Sequence, residues 1–466
     1  MAGHTRERLL VIGGDAAGMS AASQARRRRG PGDLEIVVLE RGDHTSYSAC
    51  GIPYYVGGVV ADAAELIART PEEFRERGID VRIRTEAVEI DLGRGRVRIR
   101  DAEGAERWEG YDHLMIATGA VPARPRLPGV DAPNVHGIQV LQDGIDLGRA
   151  VERGGPRRAV VVGGGYIGLE MAEALVMRGL EVALVDAAEQ PMRTLDPDMG
   201  ELVADALRGV GVGLHLGERL EGFETEGGRV TAVRTSAGAL PADLVVLGLG
   251  VRPASDLARA AGIEVGATGG IVTDRRMRTR SERVWAAGDC VETRHLISGE
   301  PVAIALGTHA NKQGRVAGIN LGGGYATFPG VAGTAVSKIC AVEVARTGLN
   351  EAEAAAAGFA FVTAAVESTT RAGYHPGATT MRTKLVAERR SGRLLGAQIV
   401  GEENAAKRID GLAIALWNGM TVEEMTGLDL GYAPPFAPVW DPVLIAARKA
   451  AERVEEDVRA CDAAGG

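Results

Sequence analysis

The stretch Leu9-Leu10-Val11-Ile12-Gly13-Gly14-Asp15-Ala16-Ala17-Gly18 decides how the rest of the chain is read. An apolar run breaks into glycines and resumes as an alanine-rich helix, Met19 to Arg28, before a second apolar run, Ile36 to Leu39, ends at Glu40. That succession is a strand–turn–helix–strand unit. Its glycines permit a tight turn, its helix N-terminus faces a pyrophosphate, and its terminal acid takes ribose hydroxyls. Asp15 stands where a second glycine is usual, and Gly13-Gly14 read alone also fits a plain turn.

The pattern returns 150 positions later. Ala159-Val160-Val161-Val162 enters Gly163-Gly164-Gly165-Tyr166-Ile167-Gly168, a complete G-x-G-x-x-G that opens the helix Leu169 to Arg178. The strand Val182 to Val185 then ends at Asp186, 23 residues after Gly163. Two such units predict two dinucleotides, and a flavin with a nicotinamide is the natural pair. FAD is assigned to Gly13, Gly18 and Glu40, and NADH or NADPH to Gly163, Gly165, Gly168 and Asp186. Two further strands run into small-residue turns, Ala117-Thr118-Gly119 and Gly288-Asp289, which also fit ordinary strand ends. Flanking the second unit, they add Thr118, Gly119, Gly288 and Asp289 to the flavin set. The expected class is α/β with two Rossmann-like domains: FAD over 1–149 and 254–325, NAD(P)H over 150–253, and a C-terminal domain over 326–466.

Composition narrows the function. The chain has 466 residues, 45% apolar and 25% charged, which suits a globular protein of two to four domains. A net charge of −9 argues against nucleic acid as a partner. The segment Met1 to Arg8 is polar and does not read as a signal peptide. The longest apolar stretch, around Leu244 to Val251, is far short of the ~20 residues that span a membrane. Four cysteines, Cys50, Cys290, Cys340 and Cys461, form no C-x-x-C and no cluster with histidine, so neither a metal site nor a disulfide framework is expected. Cys290 and Cys340 read as packing residues and Cys461 as part of a polar tail. His44, His309 and His375 lack a spaced metal partner, and His375 sits beside Tyr374. The chain reads as cytoplasmic.

The glycine turns, Ala117-Thr118-Gly119, Gly250-Val251-Arg252-Pro253 and Ala286-Ala287-Gly288-Asp289 together resemble the flavin-dependent pyridine nucleotide–disulfide oxidoreductases, with matches from Leu9 to about Asp441. The resemblance implies a glutathione reductase-like architecture, FAD, NADH or NADPH, and a C-terminal α+β dimerisation domain. The redox segment reads Ser46-Tyr47-Ser48-Ala49-Cys50-Gly51-Ile52-Pro53-Tyr54-Tyr55-Val56-Gly57-Gly58. Glutathione and lipoamide reductases carry C-x-x-x-x-C, but five residues after Cys50 stands Tyr55, and no lysine precedes Lys312. The segment is similar to the single-cysteine branch, closest to coenzyme A-disulfide reductase and its persulfide- or polysulfide-reducing relatives, with NADH oxidase and peroxidase beside them. The oxidases and peroxidases place a histidine where this chain has Ala16, which favours thiol chemistry. An electron-transfer reductase of a small iron–sulfur protein is the other alternative, and the Cys50 segment argues against it.

The same resemblance gives roles to later residues. Ala372-Gly373-Tyr374-His375-Pro376-Gly377 and Leu430-Gly431-Tyr432-Ala433-Pro434-Pro435-Phe436 look like two loops that present a tyrosine to the cysteine of the partner subunit. Interface packing explains Tyr374 and Tyr432 as well, and an ion pair or helix surface explains Lys407-Arg408-Ile409-Asp410. Gln24, Arg27 and Ser46 fall where the branch contacts coenzyme A, although the run Arg26 to Arg29 also reads as a solvated basic face. Ala49 replaces an asparagine of the branch. Tyr166 is expected to swing aside for the nicotinamide and Glu170 to orient it. Asp186 favours NADH, since a carboxylate repels a 2′-phosphate. Cys50 is expected to rest as a mixed disulfide or persulfide, its thiol acidified by flavin and a helix N-terminus. A low-molecular-weight disulfide or persulfide substrate and a homodimer with a shared active site complete the expectation.

Overall fold

The computed structural model describes residues 6–464, with side chains to residue 460, so the environment of Cys461 lies outside the described residues. The first sheet has five parallel strands in the order Val284–Ala286, His113–Ile116, Glu7–Ile12, Leu34–Leu39, Asp80–Arg82. Apolar runs without alternation form it because both faces are covered, and Leu9, Leu10, Val11 and Leu114 are fully buried. Glu7–Ile12 lies mid-sheet, with connections leaving to opposite sides. Gly13 and the Ala117-Thr118-Gly119 turn therefore meet at a topological switch point, where open α/β sheets hold ligands.

The second sheet repeats the plan in the order Gly213–Leu216, Glu181–Asp186, Arg158–Val162, Leu244–Leu247, Val135–Gly137, again all parallel. Gly163 and Gly248 take the places of Gly13 and Ala117. The steric reason for glycine is the same in both units. A Cβ on Gly13 (φ +105°) would fall 2.1 Å from the Ala117 carbonyl oxygen, and one on Gly163 (φ +109°) 2.3 Å from that of Gly248. The third glycines carry the returning helix across the turn, since a Cβ on Gly18 or Gly168 would sit 1.9 or 1.8 Å from the carbonyl oxygen of Gly13 or Gly163.

The edge strand Val135–Gly137 pairs with Leu244–Leu247, and the helix Leu141–Gly154 packs into the core of the second unit. The expected edge at 149/150 thus cuts a helix. Two short strands, Ala120–Pro122 and Val251–Pro253, run antiparallel where the chain leaves the first unit and returns to it. Thr118 Oγ1 donates to the Ala254 carbonyl at 2.6 Å and fastens that crossing. The first unit is completed by the helix Gly307–Leu321, which crosses the helix Ala16–Arg28 closely enough that a Cβ on Gly314 would lie 2.2 Å from the Ala17 carbonyl oxygen.

The C-terminal unit is a five-stranded antiparallel sheet in the order Ala335–Ile339, Val342–Gly348, Leu394–Gly401, Thr380–Glu388, Phe361–Thr369. The helix Pro442–Ala464 packs against its last two strands. Large apolar side chains stay exposed on this unit: Ile414 (64%), Trp417 (57%), Phe436 (71%) and Trp440 (52%). Among the described residues, no helix is long and apolar enough to cross a membrane, and no group of three or more acid, histidine or cysteine side chains is arranged to hold a metal ion.

Candidate active site

Cys50 is exposed in a short turn, Ala49–Gly51, that leads into the helix Ile52–Val56. The segment before it is sewn to the first glycine loop. Ser46 N donates to the Gly14 carbonyl at 3.1 Å, the Thr45 hydroxyl donates to the same oxygen, and Tyr47 N donates to Asp15 Oδ1 at 3.2 Å. Asp15 therefore has work that a glycine could not do: its carboxyl holds the segment that leads to Cys50 against the loop. Burial first, and then the nearby Glu40 carboxylate, push that carboxyl up to about 6, against the hydrogen bond from Tyr47. Ser46 pays for the close fit with a left-handed backbone (φ 51°), a strain tolerated where surrounding contacts overdetermine it. Tyr55 packs on the helix Leu141–Gly154, whose Gly148 would bring a Cβ to 3.2 Å from its ring.

Three elements converge on the thiol. Glu170 projects from the helix Tyr166–Met177 of the second unit, and its Oε1 accepts from Ser337 Oγ of the C-terminal sheet at 2.7 Å. The chain by itself pushes the Cys50 thiol up, chiefly because the protein packed around this surface residue displaces part of its water, then through the negative charges of Glu170, Asp289 and Asp15, against its own backbone N–H. Tyr54, 44% exposed, lies within the fields of the same Glu170 and of Cys50.

The flavin candidates fit a dinucleotide. Glu40 closes the strand end with Oε2 accepting from Gly14 N at 2.8 Å and Oε1 from Gly42 N at 2.7 Å, which fixes its carboxylate beside the loop. Gly119 and Gly288 have positive φ (68° and 87°). A Cβ on Gly288 would meet that of Ala17 at 2.9 Å, so the second turn closes directly on the helix start. Gly288 N is bound by Gln313 Oε1 at 2.8 Å, a buried amide that sequence reasoning missed. Burial pushes the Asp289 carboxyl up to about 6. Cys290 is fully buried with Sγ 3.3 Å from the Ala287 carbonyl oxygen, in keeping with a packing role.

In the second unit Asp186 Oδ2 accepts from Gly164 N at 2.5 Å and Oδ1 from Ala188 N at 2.8 Å. A Cβ on Gly165, the residue that precedes the helix, would meet nothing within 4 Å, which leaves open space before the helix N-terminus. Tyr166 is half-buried, with its phenol oxygen 3.5 Å from Thr194 Oγ1.

Gln24, Arg27 and Ser46, 22 positions apart at most, line one cavity of about 390 Å³. Arg69, Lys312 and Arg315 line it too, so four cationic side chains face one space. The three additions were missed by sequence reading. The available signal was Lys312, the first of only five lysines, on the helix that crosses Ala16–Arg28.

Tyr374 (78% exposed) and Tyr432 (49%) come together despite their 58-residue separation, and the Tyr432 phenol is pushed up by its surroundings and by the adjacent Tyr374. Their loops are tied where Ala372 N donates to the Pro434 carbonyl at 3.1 Å. Lys407 and Asp410 form an exposed ion pair. His375 Nδ1 is engaged with the Pro376 carbonyl at 2.7 Å. Cys340, at a hairpin tip with φ 57°, is half-buried, and burial pushes its thiol up to about 11.

Residues 7–314 match the family described as pyridine nucleotide-disulphide oxidoreductase, and residues 334–442 match its dimerisation domain. The CoA-dependent NAD(P)H sulfur oxidoreductase of Pyrococcus abyssi is 41% identical over 448 residues, spanning 95% of this chain and 98% of that protein. The structure of a NAD-dependent persulfide reductase from A. fulgidus superposes with a TM-score of 0.93 at 41% identity, covering 96% of this chain and 84% of that one. Reduced Bacillus anthracis CoADR-RHD superposes with a TM-score of 0.93 at 32% identity, covering 97% and 81% respectively. With both units and the C-terminal sheet accounted for, the chain belongs to the pyridine nucleotide–disulphide oxidoreductases.

Proposed function

We propose that this protein passes electrons from NAD(P)H through FAD to Cys50, which reduces a low-molecular-weight disulfide, persulfide or polysulfide carried by coenzyme A. The observation that carries the reading is that Cys50 is the one exposed thiol among the described residues, and that its preceding segment, through Ser46, also lines the cationic cavity. Four cations in one cavity suit a substrate with several phosphates, and coenzyme A is such a carrier. The work belongs in the cytoplasm, where thiols are kept reduced.

The flavin unit uses Gly13, Gly18, Glu40, Thr118, Gly119, Gly288 and Asp289 to hold FAD. When bound, the flavin supplies a two-electron relay between nicotinamide and sulfur. The nicotinamide unit, which we begin before Val135, uses Gly163, Gly165, Gly168 and Asp186 for the dinucleotide, with Tyr166 as a movable cover and Glu170 as an orienting group. The position of Asp186 favours NADH.

Cys50 Sγ, as thiolate, attacks one sulfur of the substrate disulfide. The S–S bond breaks, one thiolate leaves and takes up a proton, and a mixed disulfide remains on Cys50. Two electrons delivered to that bond release the second thiol and restore the Cys50 thiolate. Across the cycle, one disulfide, two electrons and two protons give two thiols. Tyr55 occupies the position of a second cysteine, so the intermediate is resolved by reduction and not by an internal thiol. The exposed apolar face around Phe436 and Trp440 closes a homodimer, in which Tyr374 and Tyr432 reach Cys50 of the partner subunit and donate to the departing sulfur.

Mass spectrometry of the purified protein tests this reading. The expected result is an adduct on Cys50 with the mass of coenzyme A or of a persulfide, and Cys50→Ser retains bound flavin while disulfide reduction is lost. A bare thiol or sulfenic acid on Cys50, or turnover unchanged in Cys50→Ser, overturns it.

A further inference from the structure

The C-terminal hairpin formed by Ala335–Ile339 and Val342–Gly348 touches the second unit at two places that bear on one helix face. Ser337 Oγ donates to Glu170 Oε1 at 2.7 Å, and Ser337 is buried. Two residues along the partner strand from the position opposite Ser337, the buried Arg346 donates through Nη1 to the Thr194 carbonyl at 2.8 Å. Asn350, just past the hairpin, donates to the same carbonyl at 3.3 Å. Thr194 presents its hydroxyl to the Tyr166 phenol at 3.5 Å, the long and weak end of a hydrogen bond. Tyr166 and Glu170 stand four residues apart on the helix Tyr166–Met177, and so share one face.

The grip on the Thr194 segment is deep. Arg346 is itself fixed by Glu353 Oε2 at 2.6 Å. Asp196, 2% exposed, exchanges two hydrogen bonds with Gln398: its N donates to Oε1 at 2.7 Å and its Oδ2 accepts from Nε2 at 2.6 Å. Lys384 joins Asp196, Asp198 and Glu351 at 3.1, 2.7 and 2.7 Å. A segment held by this many buried charged groups does not drift, so the Thr194 hydroxyl is offered to the phenol from a fixed point.

We infer that Ser337 and Thr194 are positioning residues for the reductive half-reaction. Through them the dimerisation domain sets both walls of the nicotinamide site: Ser337 fixes the orienting carboxyl of Glu170, and Thr194 holds the Tyr166 cover in its closed position. The holding is done by a neutral hydroxyl from another domain. The inference rests on the nicotinamide reading of the second unit.

Steady-state rates of the holoenzyme with NADH and coenzyme A disulfide test it, because in a two-step exchange kcat/KM for each substrate reports its own half-reaction. Ser337→Ala lowers kcat/KM for NADH about 10-fold, as expected for loss of a hydrogen bond to a charged group. The value for coenzyme A disulfide stays unchanged, and Ser337→Thr restores the first value. Thr194→Val moves the same number the other way, raising it about 3-fold, because a freed cover leaves more of the population competent to bind. Thr194→Ser returns it to wild type. Either variant leaving the NADH value unmoved overturns the inference, as do both half-reactions falling together with Tm. Asp186→Ala separates the two layers of the claim. If it leaves the NADH value unchanged, the nicotinamide reading fails; if it shifts that value while Ser337→Ala or Thr194→Val does not, only the positioning role fails.

Discussion

Arg408 Nε donates to Asp441 Oδ2 at 3.1 Å, and the same guanidinium clasps both tyrosine loops. Its Nη2 donates to the Thr370 carbonyl at 2.8 Å and to the Phe436 carbonyl at 2.6 Å, one just before the Tyr374 loop and one at the end of the Tyr432 loop. Both side chains of the pair are nearly buried, at 11% and 12% exposure. A planar fork with several donors does this and an ammonium does not. Arg408→Lys is therefore expected to loosen both loops at once. It lowers kcat/KM for the disulfide about 10-fold or more and weakens the dimer in light scattering, while kcat/KM for NADH holds. Loss of the pair through Arg408→Ala leaves Asp441 uncompensated and lowers stability by about 3 kcal/mol in denaturant unfolding.

The thiol of Cys50 is raised by burial and then by Glu170, Asp289 and Asp15. A raised thiol is protonated, hence unreactive, over a wider pH range, so iodoacetamide alkylates the flavin-free chain slowly near neutrality and faster as pH rises above 9. Glu170→Gln removes one negative charge and lets the thiolate form at lower pH. Alkylation at pH 8 is then expected to be about 3-fold faster than in wild type, a difference that shrinks at acid pH as the Glu170 carboxyl takes up its own proton. Equal rates in the two proteins at pH 8 would remove Glu170 from the field around the sulfur.

Asp15 gives a sign that thermal unfolding reads directly. Its carboxyl sits at about 6 in the folded chain against 3.8 for the ordinary group, with burial as the main cause. The folded state therefore binds the proton more tightly, and wild-type stability from this group is present below about 4 and lost as pH rises through 6. Asparagine keeps an acceptor for Tyr47 N but does not titrate. On the flavin-free chain, Asp15→Asn is expected to match wild type at pH 4 and to exceed it by about 2 kcal/mol at pH 7.

Local features were legible in the sequence wherever one short segment carries its own reason. Gly13, Gly18, Gly163 and Gly168 are glycines because a Cβ has nowhere to go, and that constraint is visible in spacing alone. Glu40 and Asp186 stand at the ends of the strands that follow those loops, a place the same spacing marks. Contacts made across the fold were not legible. Ser337 and Glu170 are separated by 167 positions, and nothing in either local sequence announces the other. Val135–Gly137 is too short to read as a strand, yet it pairs into the second sheet beside Leu244–Leu247. The carboxylates around Cys50 were hidden for the same reason: Asp15, Glu170 and Asp289 come from three distant segments and meet only when the domains pack.

The cationic cavity yields the last expectation. Arg27, Arg69, Lys312 and Arg315 line it, and Lys312 and Arg315 stand three residues apart on the helix Gly307–Leu321. If these charges take the phosphates of coenzyme A, Lys312→Ala raises KM for coenzyme A disulfide about 10-fold without moving KM for NADH, since a charged hydrogen bond of that kind contributes roughly 1.5–3 kcal/mol. The effect should also depend on salt. Wild-type KM for coenzyme A disulfide rises between 50 and 300 mM NaCl as the Debye length shrinks, and rises less in Lys312→Ala, because one screened interaction is already gone. A small uncharged disulfide such as hydroxyethyl disulfide reports on Cys50 without the cavity, and its KM stays level across the same salt range in both proteins. A salt response shared by that uncharged substrate would locate the dependence elsewhere in the molecule and remove the phosphate role from Lys312.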